Sequence, residues 1–490
     1  MMTMKNLTFY MLLAFSLFSC VKTLEDDNQK LAGTSNYTGS DTDLRIRDFI
    51  WKGLNQYYLW QSESRNLQDS YFGSLSNTLA GRNRAYTTFL KSYDSPETLF
   101  VQGLLYQYGK TDRFSYITDD YVKLENQFKG ITASTGMHNL FVLKGNLCYG
   151  IVQYVVPGSD ADRQGLQRGD LFEAINGKRI TQDNINELLN SNTYTFEVLR
   201  LNEQKQLYST GRIVNLQNTE TPENPVLIKK TFQQGTHKVA YLMYTAFIAN
   251  YNHALNEAFA EFKAAGVTDL VLDLRYNGGG SVDTAVYLAS MITGQFEGNI
   301  FAKEKWNAKM QPIQEARNGI TNYFLSRMKD GTNINSLNLN KVYVLTTKQT
   351  ASASELVING LKPYIQVVQI GTTTIGKNQG SITIYDFVDA EGKVRNPNHK
   401  WAMQPLVLKI ENAKGEGDYV NGIAPDIEVE ESVYSLGTLG DPKERLLSEA
   451  LAQITGRRTT ARPAIPEPMP KVEIIATSKD RFLGYNEMYK

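Results

Sequence analysis

Cysteine and histidine are scarce in this chain of 490 residues. Its two cysteines, Cys20 and Cys148, cannot form a disulfide framework or a cysteine-based zinc site within one chain. The four histidines lie far apart and show no HExxH or HxH spacing, so we expect neither a metal site nor a cofactor. The 51 basic and 51 acidic side chains balance, which gives no argument for nucleic acid or an anionic membrane surface as a partner.

The first 20 residues have the pattern of an export signal. Lys5 precedes an apolar run at 7–19 that is too short for a comfortable membrane span and is typical of a signal-peptide core. The run ends in Leu17-Phe18-Ser19-Cys20, which resembles a bacterial lipoprotein processing site with Cys20 as the lipid attachment residue. The alternative is an ordinary secretory signal with an incidental cysteine. Either reading predicts an exported protein, and the first predicts a membrane-anchored lipoprotein, periplasmic or on the cell surface.

At this length we expect about three domains. Residues 21–42 are polar and predict a linker. Its acidic patch at 25–27 resembles a surface-export signal, although a solvated linker explains it equally well. Residues 43–122 predict a helical domain, whose first helix has apolar side chains at helical spacing: Ile46, Phe49, Ile50, Leu54 and Tyr57.

Residues 127–213 predict a β-rich domain of short strands with one amphipathic helix. Its turn motifs resemble the signature of a bacterial PDZ domain. They are Pro157-Gly158-Ser159, Gly165-Leu166, Gly169-Asp170 and Ile175-Asn176-Gly177. Such domains bind a peptide's C-terminus as an added strand and hold its carboxylate on backbone N–H groups. Gly130 and Ile131 lie where that carboxylate-binding loop is expected, although Gly130 could also simply shape a turn.

Residues 225–455 alternate strand and helix patterns, which predicts an α/β domain with its chemistry at the carboxyl ends of the strands. The glycine run at 278–280 matches no phosphate-binding motif, but it lets backbone amides approach a ligand closely. A helical pattern precedes Gly456, and the proline-rich residues 456–490 predict an extended tail. The expected fold class is therefore multidomain α/β (α+β).

The candidate chemistry lies between Thr346 and Gly380. Ser352 opens a predicted helix and could act as a nucleophile, with Lys377 as its general base if burial keeps the lysine neutral. The amide of Ala353 could stabilise an oxyanion at the helix N-terminus, with a second donor from the glycine run. On pattern alone, however, Ser352 to Glu355 is a helix capping box and Lys377 a solvated loop charge.

The ordered motifs resemble one protease family. They are Asp112-Arg113-Phe114-Ser115, the PDZ-like signature, Leu272-Asp273-Leu274-Arg275 with the glycine run, the segment from Thr350 to Glu355, and Thr374 to Lys377. Together they are similar to the carboxyl-terminal-processing (tail-specific) Ser–Lys proteases, and in particular to lipoprotein members from Bacteroides-like bacteria with an extra N-terminal helical domain. The resemblance implies an α/β serine endopeptidase domain of the tail-specific type, acting on protein or peptide substrates with free C-termini.

The resemblance also implies roles for single residues. Ser352 corresponds to the nucleophile and Lys377 to the base, while Ala353 and the amide of Gly279 or Gly280 correspond to the oxyanion hole. Many members carry a glutamine four positions after the lysine that orients it, whereas this chain has Ser381 there. Either Gln379 or Glu355 could take over that role. The alternative function is a non-catalytic PDZ-type peptide-binding lipoprotein. A lipase or esterase is disfavoured because Ser352 lacks the Gly-x-Ser-x-Gly elbow and no histidine stands in a catalytic-triad motif.

Overall fold

The structure, a computed structural model, describes residues 39–72, 84–456 and 472–490. The predicted signal peptide with Cys20, and the linker up to residue 38, lie outside the described residues. Among the helices of the described ranges, none is both long and apolar enough to cross a membrane.

The N-terminal unit is helical, and Ser40 caps its first helix by accepting from the N–H of Asp43 at 3.2 Å. Its elements are α1 (Asp41–Tyr57), a 3-10 turn (Arg65–Leu67), α2 (Arg84–Lys91), α3 (Pro96–Thr98) with a π-helical extension (Leu99–Leu104), β1 (Tyr116–Thr118) and α4 (Tyr121–Phe128). Helix α1 buries Ile46, Phe49, Ile50 and Leu54, as the spacing predicts. The core of this unit also includes Ile384, Met403 and Leu406 of the α/β unit, so the two units share one hydrophobic core.

The second unit is the PDZ-like domain. Its elements are β2 (Ile131–Ser134), β3 (Met137–Lys144), β4 (Leu147–Val155), α5 (Asp160–Arg163), β5 (Leu171–Phe172), β6 (Ala174–Ile175), β7 (Lys178–Arg179), α6 (Ile185–Leu189), β8 (Thr193–Leu201), β9 (Leu207–Gln217) and β10 (Thr219–Pro222). Strand β9 continues past residue 213, where the sequence prediction ended this domain, because its pairing with β8 extends to Gln217.

The third unit contains most of the chain. Its elements are β11 (Val226–Gln234), β12 (His237–Tyr244), α7 (Asn252–Ala265), β13 (Asp269–Asp273), β14 (Gly280–Ser281), α8 (Val282–Thr293), β15 (Ile300–Trp306), α9 (Gln311–Ala316), β16 (Thr321–Tyr323), β17 (Lys341–Thr346), α10 (Ala353–Leu361), β18 (Gln366–Gly371), β19 (Gln379–Ser381), β20 (Ile384–Tyr385), β21 (Ala402–Gln404), β22 (Leu406–Asn412), β23 (Ile427–Glu428) and α11 (Arg445–Thr455). Strand β21 pairs with β1, which joins this unit to the helical one.

One sheet of this unit positions the candidate residues. Its order is β11-β12-β13-β17-β18-β23, and every pair except β11 with β12 is parallel. Along β12, Ala240 and Leu242 face the helix α7 side, whereas Val239 and Tyr241 face α11. Because both faces are covered, polar groups can gather only where the strands end, and the carboxyl ends of β12, β13 and β17 lie side by side.

The C-terminal segment differs from the prediction of an extended tail. Residues 472–490 return to the body of the protein as β24 (Glu473–Thr477) and β25 (Met488–Tyr489). Strand β24 joins the PDZ-like sheet beside β3, and β25 lies between β14 and β19 in a second sheet of the α/β unit. The prediction was wrong because it followed the prolines at 463–470 and gave too little weight to the β-branched run after them.

Candidate active site

Ser352 lies in a strained turn between β17 and α10. Its φ of +66° and ψ of −116° fall in a region that non-glycine residues rarely adopt. A strand-to-helix turn of this kind presents a side chain at the carboxyl edge of a sheet. The neighbouring Thr350 fixes the turn by donating its hydroxyl to the carbonyl oxygen of Leu274 at 2.8 Å. The serine therefore has the backbone of a nucleophile elbow without flanking glycines.

The Ser352 side chain is fully buried, and its Oγ has no hydrogen-bond partner in the described part of the chain. The predicted capping box is present at this turn, and its well-formed hydrogen bond runs from the N–H of Ser352 to the Glu355 carboxylate at 2.7 Å. A buried polar atom without a partner costs about 1–3 kcal/mol, so the position needs an explanation other than helix capping.

Glu355 connects the two candidate catalytic residues through the backbone. The same carboxylate that accepts from Ser352 also accepts from the N–H of Lys377 at 2.8 Å and of Gly376 at 2.7 Å. Burial raises the pKa of Glu355, although these hydrogen bonds and one from Thr374 act in the opposite direction. Glu355 thus fixes the spacing of the serine and lysine backbones but does not contact the lysine amine.

Lys377 is fully buried rather than solvated, so the loop-charge alternative is wrong. Burial lowers the pKa of this lysine, while the negative charges of Glu487, Asp112 and Glu355 partly offset that effect. A lysine with a lowered pKa is the condition for general-base chemistry. Its Nζ forms an ion pair with Glu487, and no hydrogen bond joins it to Ser352.

Glu487, in the C-terminal segment, is the charged partner of Lys377. Its Oε1 lies 3.1 Å from the lysine Nζ, and both side chains are almost completely buried. Sequence reasoning missed this residue, because no motif surrounds it and the segment was expected to be an extended tail. Gln379, the other candidate for this role, lies in β19, and its Oε1 accepts no hydrogen bond from the lysine or from any other described residue.

The glycine turn after β13 packs directly against the nucleophile. A Cβ on Gly279 would lie 2.6 Å from the Cβ of Ser352, so only glycine fits there. Asn277 organises the turn by donating to the carbonyl oxygen of Tyr244 at 2.8 Å and accepting from the N–H of Gly279 at 2.8 Å. Its own carbonyl oxygen accepts from the N–H of Ala351 at 3.0 Å. Asn277 is therefore a second residue that the sequence reasoning left without a role.

The three predicted oxyanion-hole residues surround Ser352 but differ in availability. The Gly279 N–H is already donated to Asn277, and Gly280 lies in β14, paired with Met488 of β25. Ala353 is the first residue of α10, so its N–H has no acceptor within the helix. Of the three candidate donors, the Ala353 N–H is thus the one that no hydrogen bond within the helix uses.

The Asp112-Arg113-Phe114-Ser115 segment of the helical unit reaches this site. Arg113 donates to the carbonyl oxygens of Gly376 at 2.6 Å and Val420 at 3.1 Å. The ring centroid of Phe114 lies 4.7 Å from the Nζ of Lys377. The segment therefore contacts both the lysine side chain and the loop that carries it.

A cavity of about 130 Å³ lies between the PDZ-like unit, the glycine turn and the C-terminal segment. Its lining includes Gly130, Gly279, Gly280, Tyr485 and Glu487. Gly130 has a φ of +76°, and Ile131 begins β2, which pairs with β10. Gly130 thus lines the same cavity as the glycine turn, while Ile131 follows it at the start of β2.

One edge of strand β3 is covered by β24, from the C-terminal segment of the same chain. Strand β24 pairs antiparallel with β3, and Ser478 continues the pairing with a hydrogen bond from its N–H to the Asn139 carbonyl oxygen at 2.9 Å. A groove at this position is lined by Phe141 of β3, Leu189 of α6, and Ser478 and Arg481 of the C-terminal segment. The segment therefore uses the strand edge at which PDZ domains add peptides.

A strained serine and a buried lysine at the carboxyl edge of a parallel sheet are the arrangement expected of a serine-nucleophile site. In the ranges that the structure describes, no cluster of three or more histidine, cysteine, aspartate or glutamate side chains could hold a metal ion.

Comparison with known proteins places the chain in a family. The model for peptidase family S41 matches residues 238–429, the model for the peptidase S41 N-terminal domain matches 45–116, and a PDZ domain model matches 151–191. Together the two S41 models cover more than half of the chain. A crystal structure titled as an S41 protease from Bacteroides fragilis is 27% identical, with a TM-score of 0.60 over 83% of this chain and 97% of the other.

Two curated relatives are similar over part of their length. The chloroplastic C-terminal processing peptidase of Tetradesmus obliquus is 25% identical over 58% of this chain and 57% of its own. A protein described as a CtpA-like serine protease of Staphylococcus aureus is 24% identical over 67% of this chain and 59% of its own. The match thus spans less than two thirds of either relative. The chain belongs to peptidase family S41, the carboxyl-terminal-processing or tail-specific serine proteases. The predicted family and fold class are confirmed.

Proposed function

We propose that the protein is a serine endopeptidase that captures the C-terminal part of a protein substrate and cleaves it through Ser352 and Lys377. The observation that carries this proposal is the pairing of a strained, buried serine with a buried lysine whose backbones share the Glu355 carboxylate. A strained backbone, a buried hydroxyl without a partner and a buried lysine with a lowered pKa at one place are the features expected of reacting groups.

The chemistry follows from these groups. Ser352 Oγ attacks the scissile carbonyl carbon as neutral Lys377 takes its proton, and the electron pair of the C=O bond moves to the oxygen. The resulting oxyanion is stabilised by the Ala353 amide and by a glycine-turn amide released from its present partner. The C–N bond then breaks, and Lys377 returns the proton to the leaving amine. Water, activated by the same lysine, hydrolyses the acyl-enzyme and restores Ser352.

Substrate capture is assigned to the PDZ-like unit. An extended peptide can add to β3, and its carboxylate would be held by backbone N–H groups near Gly130 and Ile131. The peptide must displace β24, since both compete for the same edge of β3.

Export and lipid attachment at Cys20 complete the proposal. They are supported by the signal-like sequence at 1–20. Wild type is expected to incorporate labelled palmitate and to fractionate with membranes, whereas Cys20→Ser should do neither. Protease treatment of intact cells then separates a cell-surface location from a periplasmic one.

The activity is tested with purified protein and an unstructured protein substrate that has an apolar C-terminus. Wild type should cleave it, while Ser352→Ala and Lys377→Ala should lower kcat by at least about a hundredfold. Ser290→Ala and Lys362→Ala are matched controls, because Ser290 is a buried serine in α8 and Lys362 an exposed lysine at the end of α10. Equal cleavage by all five proteins would refute the dyad.

A non-catalytic peptide-binding protein is the second candidate. It is favoured by one observation, the lack of a hydrogen bond between Ser352 and Lys377. If wild type binds the substrate's C-terminal peptide but cleaves nothing, this alternative replaces the protease.

A further inference from the structure

The contact between Lys377 and Glu487 links the candidate base to a segment outside all three matched ranges. Those ranges end at residue 429, whereas Glu487 lies near the end of the described chain. Ionisable groups buried this completely are uncommon unless they are paired, and each is the other's nearest charge of opposite sign at 3.1 Å.

The position of Glu487 is fixed by several independent contacts. Its Oε1 accepts from the hydroxyl of Ser381, which in turn accepts from the side-chain amide of Gln404 at 2.8 Å. Its N–H donates to the carbonyl oxygen of Gly484 at 3.0 Å. A chain of three polar side chains thus leads from the sheet interior to the lysine amine.

The backbone around Glu487 is equally constrained. Met488 and Tyr489 form β25 between β14, which carries Gly280, and β19, which follows Lys377 in sequence. Met488 is fully buried in the main core. The strand therefore anchors the carboxylate to both halves of the site, the oxyanion side and the base side.

We propose that Glu487 is a positioning residue for Lys377, which makes the catalytic group a Ser352–Lys377–Glu487 constellation completed by the C-terminal segment. Its carboxylate holds the lysine amine in place and stabilises the ammonium that forms when the amine takes the serine proton. This inference rests on the proposed function. Glu487 thus takes the lysine-orienting role for which the sequence indicated Gln379 or Glu355.

The other charges near the amine do not substitute for Glu487. Glu355 accepts hydrogen bonds from backbone N–H groups, and Asp112 is engaged by the N–H groups of Phe114 and Ser115 and by the Tyr58 hydroxyl. The amine also lies over the ring of Phe114, 4.7 Å from its centroid. Glu487 is therefore the carboxylate placed against Nζ itself.

The experiment compares Glu487→Gln and Glu487→Asp with wild type in kcat/KM against pH. We expect Glu487→Gln to lower kcat/KM about tenfold or more and to move its acidic limb to lower pH, because removing a negative charge lowers the pKa of Lys377. Glu487→Asp keeps the charge and should leave the limb near its wild-type position. A purely structural role would change the rate without moving the limb.

Two further proteins separate structural effects from positioning. Glu473→Gln removes an exposed carboxylate from the same segment and should match wild type. Ser381→Ala removes only the hydroxyl that holds Glu487, so it should give a smaller loss even if Glu487→Gln folds poorly. Thermal unfolding of each variant identifies a folding defect.

A readout that needs no activity is the ¹³Cε shift of Lys377, assigned with Lys377→Ala, during a pH titration. A lower titration midpoint of Lys377 in Glu487→Gln than in wild type supports the contact between the two residues. This result holds even if the wild type cleaves nothing, and the protease function alone would then be refuted. An unchanged midpoint overturns the proposal. Equal or higher kcat/KM in Glu487→Gln also overturns it, and higher activity would identify the segment as an inhibitor.

Discussion

Arg113 donates a hydrogen bond of 2.6 Å to the carbonyl oxygen of Gly376, the residue directly before Lys377. This bond connects the helical unit to the loop of the candidate base. Together with Phe114 above the lysine amine, it makes the N-terminal unit part of the site.

The first prediction concerns this bond. Arg113→Ala removes the two hydrogen bonds that Nη2 donates to loop carbonyl oxygens and should lower kcat about tenfold, because the loop before Lys377 is then held less firmly. The cost in unfolding free energy should be only about 1 kcal/mol, since Arg113 is exposed. Arg179→Ala, which removes an exposed pair in the PDZ-like unit, is the control. Equal kcat for both variants would contradict the prediction.

The second prediction concerns the glycine turn. In Gly279→Ala the new methyl group would lie 2.9 Å from Ser352 Oγ and 2.6 Å from the carbonyl oxygen of Glu487. We expect a loss of about 1–3 kcal/mol in stability and about a hundredfold in kcat. Gly298→Ala controls for backbone strain, because its φ is also positive and no atom lies within 4 Å of its added Cβ. Full activity in Gly279→Ala would show that the turn does not support the nucleophile.

The third prediction concerns how the free energy of unfolding depends on pH through Glu223, which follows strand β10 of the PDZ-like unit. Burial acts to raise the pKa of Glu223, but His138 and a hydrogen bond from Ser134 outweigh it and lower the pKa to about 2. An acid with a lower pKa in the folded state stabilises the protein above its ordinary value of 4.5 and loses that effect as the pH falls toward 2.

Denaturant unfolding at a series of pH values tests it. Wild type should lose about 2–4 kcal/mol between pH 5 and 2 that Glu223→Gln does not lose. Glu261→Gln, which removes a mostly exposed carboxylate, should follow the wild-type curve. If the free energy of unfolding falls equally with pH in Glu223→Gln and wild type, Glu223 does not cause the loss of stability.

The fourth prediction concerns the occupied edge of β3. Ser478→Pro removes the N–H that bonds the Asn139 carbonyl oxygen and the hydroxyl that accepts from the Asn139 N–H at 3.0 Å. In a Ser352→Ala background we expect an apolar C-terminal peptide to bind roughly 5- to 30-fold more tightly, because each lost bond is worth about 1 kcal/mol. Fluorescence anisotropy measures the Kd, with the amidated peptide as control. An unchanged Kd would place peptide binding elsewhere.

The order of elements was accessible from the sequence. The apolar runs at β12, β13 and β17 are long and continuous, as burial on both faces requires, and Gly266 ends α7 where the pattern predicts. Ser352 and Lys377 are candidates because the ordered motifs around them resemble those of the tail-specific proteases, whereas the local pattern alone favours a capping serine and a solvated lysine. Their catalytic roles remain a prediction.

The sequence by itself determined the fold class, the family and the candidate pair, because local periodicity and ordered motifs are properties of neighbouring residues. Only the tertiary structure brought Arg113, Asn277 and Glu487 to Ser352 and Lys377. These contacts join residues distant in the chain through backbone carbonyls or a buried carboxylate, so no local pattern predicts which residues meet. The C-terminal segment illustrates the limit most clearly, since its place between β14 and β19 depends on two strand edges that only folding creates.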